Sequence, residues 1–230
     1  PAAAVVWGEP RTLTVDAARV AVHDATGTRI DPRSLRLAEY RALVLTGSEP
    51  LMAGTHYRFG CSALLADSFR QFGYPMPGRP QAPGDSFERH VLDNGQLLPF
   101  EVMPGQQRPG VPWTPYLGRG GASALRLMAD TMLPAVRQSI VHRYVARRDG
   151  RVHLVARFEP AGESADGIAI TLAQGGRDLL QRTGTAPVAI DLHLSLRKDE
   201  ALTLTVGARG NATGDTTRYR IRIYDDGRCG

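Results

Sequence analysis

The sequence predicts an all-β protein: an antiparallel β-sandwich of jelly-roll type over residues 136–230, preceded by a small β-meander from a neighbouring sandwich over residues 1–47. Two observations carry this. Between residues 138 and 226 apolar and polar residues alternate in run after run, with turn residues recurring about every ten positions. No helical pattern intervenes there, so the runs must pair with one another rather than with covering helices.

The first 47 residues carry the same alternation in shorter pieces. In "ARVAVHD" Val20 and Val22 fall on one face and Ala21 and His23 on the other. Thr26 and Gly27 supply a turn that tolerates positive φ, and "RALVLTG" returns as a further strand. Residues 48–135 differ in texture. Stretches such as "YPMPGRPQAPG" and "LLPFEVMPGQQRPGVPWTPYLGRGG" remove ladder donors and fix φ, so a Pro/Gly-rich irregular region packing on the sandwich is expected. Within it, "CSALLADSFRQFG" (61–73) fits a helix ending at Gly73, and equally a strand and loop. "SALRLMAD" (123–130) alternates as a strand.

The last region reads as three hairpins and a closing strand. Their turns fall at Asp149-Gly150, at Gly175-Gly176 and at Lys198-Asp199-Glu200, and "TRYRIRIYDD" ends the series.

Composition narrows the function. The net charge is +5, carried almost entirely by arginines spread along the chain, with Lys198 the single lysine. A nucleic-acid surface concentrates its charge on one face, so no nucleic-acid partner is expected. No apolar run is long enough for a membrane span. The start "PAAAVVWGEPRTLTV" lacks the basic region of a signal peptide, and the chain reads as a mature product or a piece of something longer. Cys61 and Cys229 lack the spacing of a zinc site. They are either a disulfide, which would place the chain in an oxidising compartment, or two separate thiols.

Two stretches resemble known modules. "VDAARVAVHDATGTRIDPRSLRLAEYRALVLTG", through Val22, Asp24, Gly27 and Leu43 to Gly47, resembles the small β-sandwich tail behind the catalytic barrel in secreted glycoside hydrolases of the family 39 type. The last 90 or so residues resemble the jelly-roll, carbohydrate-binding accessory modules of bacterial polysaccharide-active enzymes. Arg143 to Val152, Asp166-Gly167-Ile168, Lys198 to Leu202, Asn211 and Asp215-Thr216 carry that likeness. The resemblance implies a secreted or periplasmic, non-catalytic portion of a polysaccharide-degrading hydrolase, with a polysaccharide or oligosaccharide ligand and an upstream catalytic barrel as partners. Retaining glycosidases use two carboxylates about 5 Å apart on barrel strand ends. Nothing here has the helix–strand alternation of a barrel, so no catalytic residue is assigned.

Exposed rings in a proline-stiffened loop suit the apolar faces of sugars, which makes Trp113, Tyr116 and Tyr74 the candidate carbohydrate-binding residues. The alternative is that Trp113 plugs a seam. A self-contained jelly-roll lyase or hydrolase would instead use side chains such as His153, Tyr144 and Arg157 on a concave sheet face. His142, His153 and His193 are expected as solvated strand positions, and the pairs Glu88/Asp93 and Asp225/Asp226 as solvated carboxylates. Asn211 and Asp215 offer oxygens to a structural Ca²⁺, but that ion takes six to eight and the loop "GARGNATGDTT" supplies few, so no cofactor or metal is expected.

Overall fold

The computed structural model describes residues 1–8, 11–37, 41–60, 63–105, 115–120 and 124–227. Trp113, Cys61 and Cys229 lie outside the described residues. The chain divides into two compact units, Pro1–Ala63 with Asp226–Gly230, and Leu64–Asp225.

The first unit is built from β1 (Ala2–Val6), β2 (Arg11–Val15), β3 (Val20–Asp24), β4 (Arg29–Ile30), β5 (Arg36–Leu37), β6 (Leu43–Gly47) and β7 (Tyr57–Phe59). One sheet runs β1-β6-β3-β4 and the other β5-β2-β7. Their inward positions, among them Leu13, Val20, Val22, Leu37, Leu43 and Leu45, form one small core. The β3–β4 turn is fixed by Asp24, whose carboxylate accepts from the Thr26 hydroxyl and from the Thr26 and Thr28 amides while Gly27 takes φ 87°.

The second unit contains β8 (Leu64–Asp67), β9 (Phe87–Asp93), β10 (Gln96–Pro99), β11 (Glu101–Met103), β12 (Tyr116–Gly118), β13 (Arg126–Leu127), β14 (Thr131–Leu133), β15 (Gln138–Val145), β16 (Gly150–Pro160), β17 (Ile168–Gln174), β18 (Arg177–Gly184), β19 (Val188–Leu196), β20 (Ala201–Ala208) and β21 (Thr217–Asp225). A six-stranded sheet, β10-β9-β15-β20-β17-β18, faces an eight-stranded one, β11-β12-β13-β14-β21-β16-β19, with β8 also paired to β21. All these strand pairs are antiparallel, so the fold is the β-sandwich of jelly-roll type that the alternation predicts. Alternate residues enter the core from both sheets: Ile168, Ile170 and Leu172 with Leu202, Leu204 and Val206 on one side, Val152, Leu154, Ala156 and Phe158 with Tyr219, Ile221 and Ile223 on the other. Each such burial contributes about 1.5–3 kcal/mol.

Segment 61–73 follows the strand-and-loop reading: its described part is β8 and then a turn, and β8 is locked to β21 where the buried Asp67 accepts from Arg220. Only one of the three expected hairpins forms. β17 and β18 pair around Gly175 and Gly176, at φ 55° and 85°. β15, however, pairs with β9 and β20, and β16 with β19 and β21, so Asp149-Gly150 is a corner between sheets. The turn at 198–200 is a second corner, from β19 to β20. The two corners are tied together: the Lys198 amide donates to Asp149 Oδ1 at 2.6 Å, and the Ala146 and Glu200 backbones bond at 2.9 Å.

The core also holds a polar network. Arg89, on β9 between the inward Phe87 and Val91, is 2% exposed. It donates to Asp85 Oδ2 through Nε (2.8 Å) and Nη2 (2.7 Å) and to the Ser68 carbonyl at 3.1 Å, and its Nη1 lies 3.4 Å from the Tyr219 hydroxyl. Tyr219 Oη donates to the Met128 carbonyl and neighbours His142 Nε2. His142, expected at the surface, is fully buried, and so nearly is His153; of that trio only His193 is exposed. His142 shares its face of β15 with Ile140 and Tyr144, which is why it turns inward.

Two outcomes follow. Asp85→Ala leaves the Arg89 charge buried and unpaired, and should cost about 3–5 kcal/mol in urea denaturation. Burial, and then the Arg89 charge, hold His142 well below its usual 6.5. The unfolded chain therefore binds a proton that the native one refuses as pH falls below 6.5, and stability drops by up to about 1.4 kcal/mol per pH unit. In His142→Leu this acid slope should be shallower by about one proton.

Candidate functional site

The long connection from β8 to β9 carries prolines at 75, 77, 80 and 83, and glycines at 78 and 84 with φ of 76° and 79°. Such a segment loses little backbone freedom on ordering, so it can hold side chains out of the surface at small entropic cost. Tyr74 is one of these: it is 42% exposed, and its hydroxyl donates to the Pro115 carbonyl at 2.8 Å. That bond brings the Tyr74 hydroxyl to the residue preceding Tyr116, 41 positions along the chain. Burial of part of the Tyr74 ring raises its phenol above the usual value. Behind it, Phe72 meets Tyr74 edge-to-face at 5.7 Å, and the Arg89 guanidinium sits 4.7 Å from the centre of the Phe72 ring. Tyr116, half-buried on β12, carries the Arg126 guanidinium 5.0 Å from its ring centre.

The same connection lines a depression of about 360 Å³ through Met76, Arg79, Gln81, Ala82, Pro83 and Gly84, together with Arg147. Gly73 packs so closely on Ala82 that a Cβ there would lie 2.9 Å from the alanine methyl, which couples the Tyr74 turn to the wall of the depression. Asp85 also lines it, but its side chain is buried and its oxygens face the Arg89 guanidinium and the Phe87 amide. The exposed side chains that remain are two arginines without ion-pair partners among the described residues, the Gln81 amide, Pro83 and an apolar Met76 that is 57% exposed. Rings flanked by hydrogen-bond donors are the equipment for the C–H faces and hydroxyls of a sugar.

The side chains offered for an enzyme do not converge. Tyr144 points into the core, whereas His153 and Arg157 project from the opposite side of β16 to its core residues Val152, Leu154 and Ala156. Glu88 pairs with Arg143, and Asp93, on the other face of β9, accepts from Gln138. Asp225 is paired with Arg148, while Asp226 belongs to the first unit, where Arg36 approaches it at 3.9 Å.

His153, Asp191 and His193 gather their donor atoms within 4.8 Å. His153 Nε2 lies 2.6 Å from Asp191 Oδ1, and the two imidazoles stack at 4.3 Å with planes 7° apart. A metal ion lies in the plane of each imidazole that binds it, and one ion cannot lie in two parallel planes. As placed, this is an Asp–His pair with a stacked histidine. The sequence reading did not link these residues, although cross-strand positions 153 and 193 become neighbours once β16 and β19 are paired.

Among the described residues no helix is long and apolar enough to cross a membrane. No protein-family model matches the chain, and no curated protein matches it. Solved structures do. A native family 35 carbohydrate-binding module from Clostridium thermocellum is 8% identical, with a TM-score of 0.34, over 60% of this chain and 92% of the module. A family 35 carbohydrate-binding module from an environmental isolate is 14% identical, with a TM-score of 0.31, over 60% and 93%. An exo-β-1,3-galactanase from Phanerochaete chrysosporium is 12% identical, with a TM-score of 0.32, over 80% of this chain and 37% of the enzyme. Likenesses of this size carry no argument about what this chain binds.

The Tyr74–Pro115 bond has its own expected outcome. Tyr74→Phe keeps the ring and removes the hydroxyl, and should cost no more than about 1 kcal/mol in chemical denaturation.

Proposed function

We propose that this chain is a non-catalytic accessory portion of a polysaccharide-degrading glycoside hydrolase, and that it grips polysaccharide through the Tyr74–Tyr116 ledge and the adjoining depression. The observation that carries the reading is the bond from the exposed Tyr74 to the carbonyl of Pro115, the residue before Tyr116, in a proline-stiffened connection that also presents Arg79, without an ion-pair partner among the described residues. Trp113, which lies outside the described residues, is proposed from the sequence as a further carbohydrate-binding residue. The family 39-like resemblance of residues 1–47 supports an upstream catalytic barrel as partner, and the same resemblance supports secretion or a periplasmic location.

Charge refines the ligand. Arg79 and Arg147 stand at the depression, while the one carboxylate that lines it is turned inward onto Arg89. A uronate-bearing chain meets two donors that match its carboxylates, so acidic polysaccharide is favoured over neutral.

Affinity gel electrophoresis against a polyuronate and a neutral mannan tests this. Retardation by the polyuronate is expected for the wild type and for Tyr74→Phe. Tyr74→Ala and Tyr116→Ala should each weaken it about tenfold, equivalent to about 1.4 kcal/mol. Migration of the wild type unchanged by any glycan would remove the binding role.

A further inference from the structure

His153, Asp191 and His193 are brought together by strand pairing rather than by sequence. His153 stands directly opposite His193 where β16 and β19 run antiparallel, and Asp191 shares the His193 face two residues along β19. All three project from the side of the sheet away from its core, and their donor atoms lie within 4.8 Å of one another. β19 is the last strand of its sheet and, among the described residues, pairs with β16 alone. An edge held from one side only is the weak margin of a sandwich. The cluster spans that margin, with one histidine on β16 and the other two groups on β19.

The donor set is selective. Two imidazoles and a carboxylate suit zinc, copper or nickel, whereas calcium and magnesium take oxygen ligands. His153 Nδ1 is shut off from solvent, so Nε2, 2.6 Å from Asp191 Oδ1, is the atom this ring offers. An ion in place of the proton these two atoms share meets an imidazole and a carboxylate at once. Parallel rings 4.3 Å apart leave that ion in the plane of only one of them, so one histidine has to turn. Burial decides which. The His153 side chain is 8% exposed and enclosed by the sheet, while His193 stands exposed on the edge strand. Exposed side chains change rotamer within nanoseconds, so His193 is the ligand that swings onto the ion.

We propose that His153, Asp191 and His193 bind a divalent ion of the zinc class, which ties the edge strand β19 to β16. Three protein ligands leave the fourth tetrahedral position to water or to a further ligand from solvent.

The test uses the full chain, stripped with chelator, with equilibrium dialysis against zinc and thermal denaturation as readouts. One zinc per chain is expected. At a hundredfold excess over Kd it should raise Tm by about 5–10 °C, and calcium and magnesium should leave Tm unchanged. His193→Phe keeps a ring against His153 and removes the donor, so it should melt as the zinc-free wild type does and gain nothing from zinc. Asp191→Asn should weaken zinc binding about tenfold or more. A stripped wild type that takes up no zinc overturns the proposal. So does a His193→Phe variant that binds zinc as tightly as the wild type, since the ion would then be held elsewhere on the chain.

Discussion

The Arg89–Asp85 pair is the interaction on which the sandwich and its candidate site both depend. A guanidinium at 2% exposure is tolerable only if its donors are met, and here they are, by the Asp85 carboxylate and the Ser68 carbonyl, with the Tyr219 hydroxyl nearby. These partners come from different parts of the unit: Asp85 precedes β9, Ser68 follows β8, and Tyr219 lies on β21 of the facing sheet. Satisfying one cation thus fixes the spacing of the two sheets and both ends of the proline-rich connection. The Phe72 ring lies over the same guanidinium and meets Tyr74 at its edge, so the exposed ledge is oriented from the core outward.

The corners at Asp149-Gly150 and Lys198–Glu200 show how strand existence and strand pairing come apart. Local chemistry reports that the chain turns, and it reported that correctly at all three places. It does not report which partner the next strand takes, because pairing depends on residues fifty or more positions away, such as Glu88 on β9 opposite Arg143. Of these three turns only Gly175-Gly176 has two adjacent positive φ values, the tight turn that keeps neighbours in one sheet, as Asn94-Gly95 does between β9 and β10. Asp149 serves the other arrangement: its carboxylate caps the Lys198 amide, joining two crossovers that pass between the sheets at the same end.

Much of the fold was legible in period-two alternation, and some of what was missed was written in the same pattern. In "FERHVLD" Arg89 has the parity of Phe87 and Val91, and in "QSIVHRYV" His142 has that of Ile140 and Tyr144, so both point inward. Residue type argued for the surface, and parity against it; parity won because buried partners were available. The aromatic ledge was legible differently. Prolines marked where rings could be held rigid, but the bond from Tyr74 to the Pro115 carbonyl spans a gap that no local pattern bridges. Asp215 stood out in the sequence as an oxygen donor in its own loop, but its neighbours Ser164 and Asp166 belong to another loop and did not.

The sign of the depression follows from the core rather than from the overall charge. Asp85 lines that surface, yet its oxygens are committed to Arg89 and to the Phe87 amide, so its negative charge is cancelled inside the protein. Arg79 and Arg147, whose guanidinium charges have no such partner among the described residues, set the potential seen from solvent. A buried cation that needed a counter-charge has in effect removed the one acid from a groove that otherwise contains arginines. Electrostatic complementarity then favours an anionic ligand, by a margin that shrinks as added salt shortens the Debye length, to about 8 Å at physiological ionic strength.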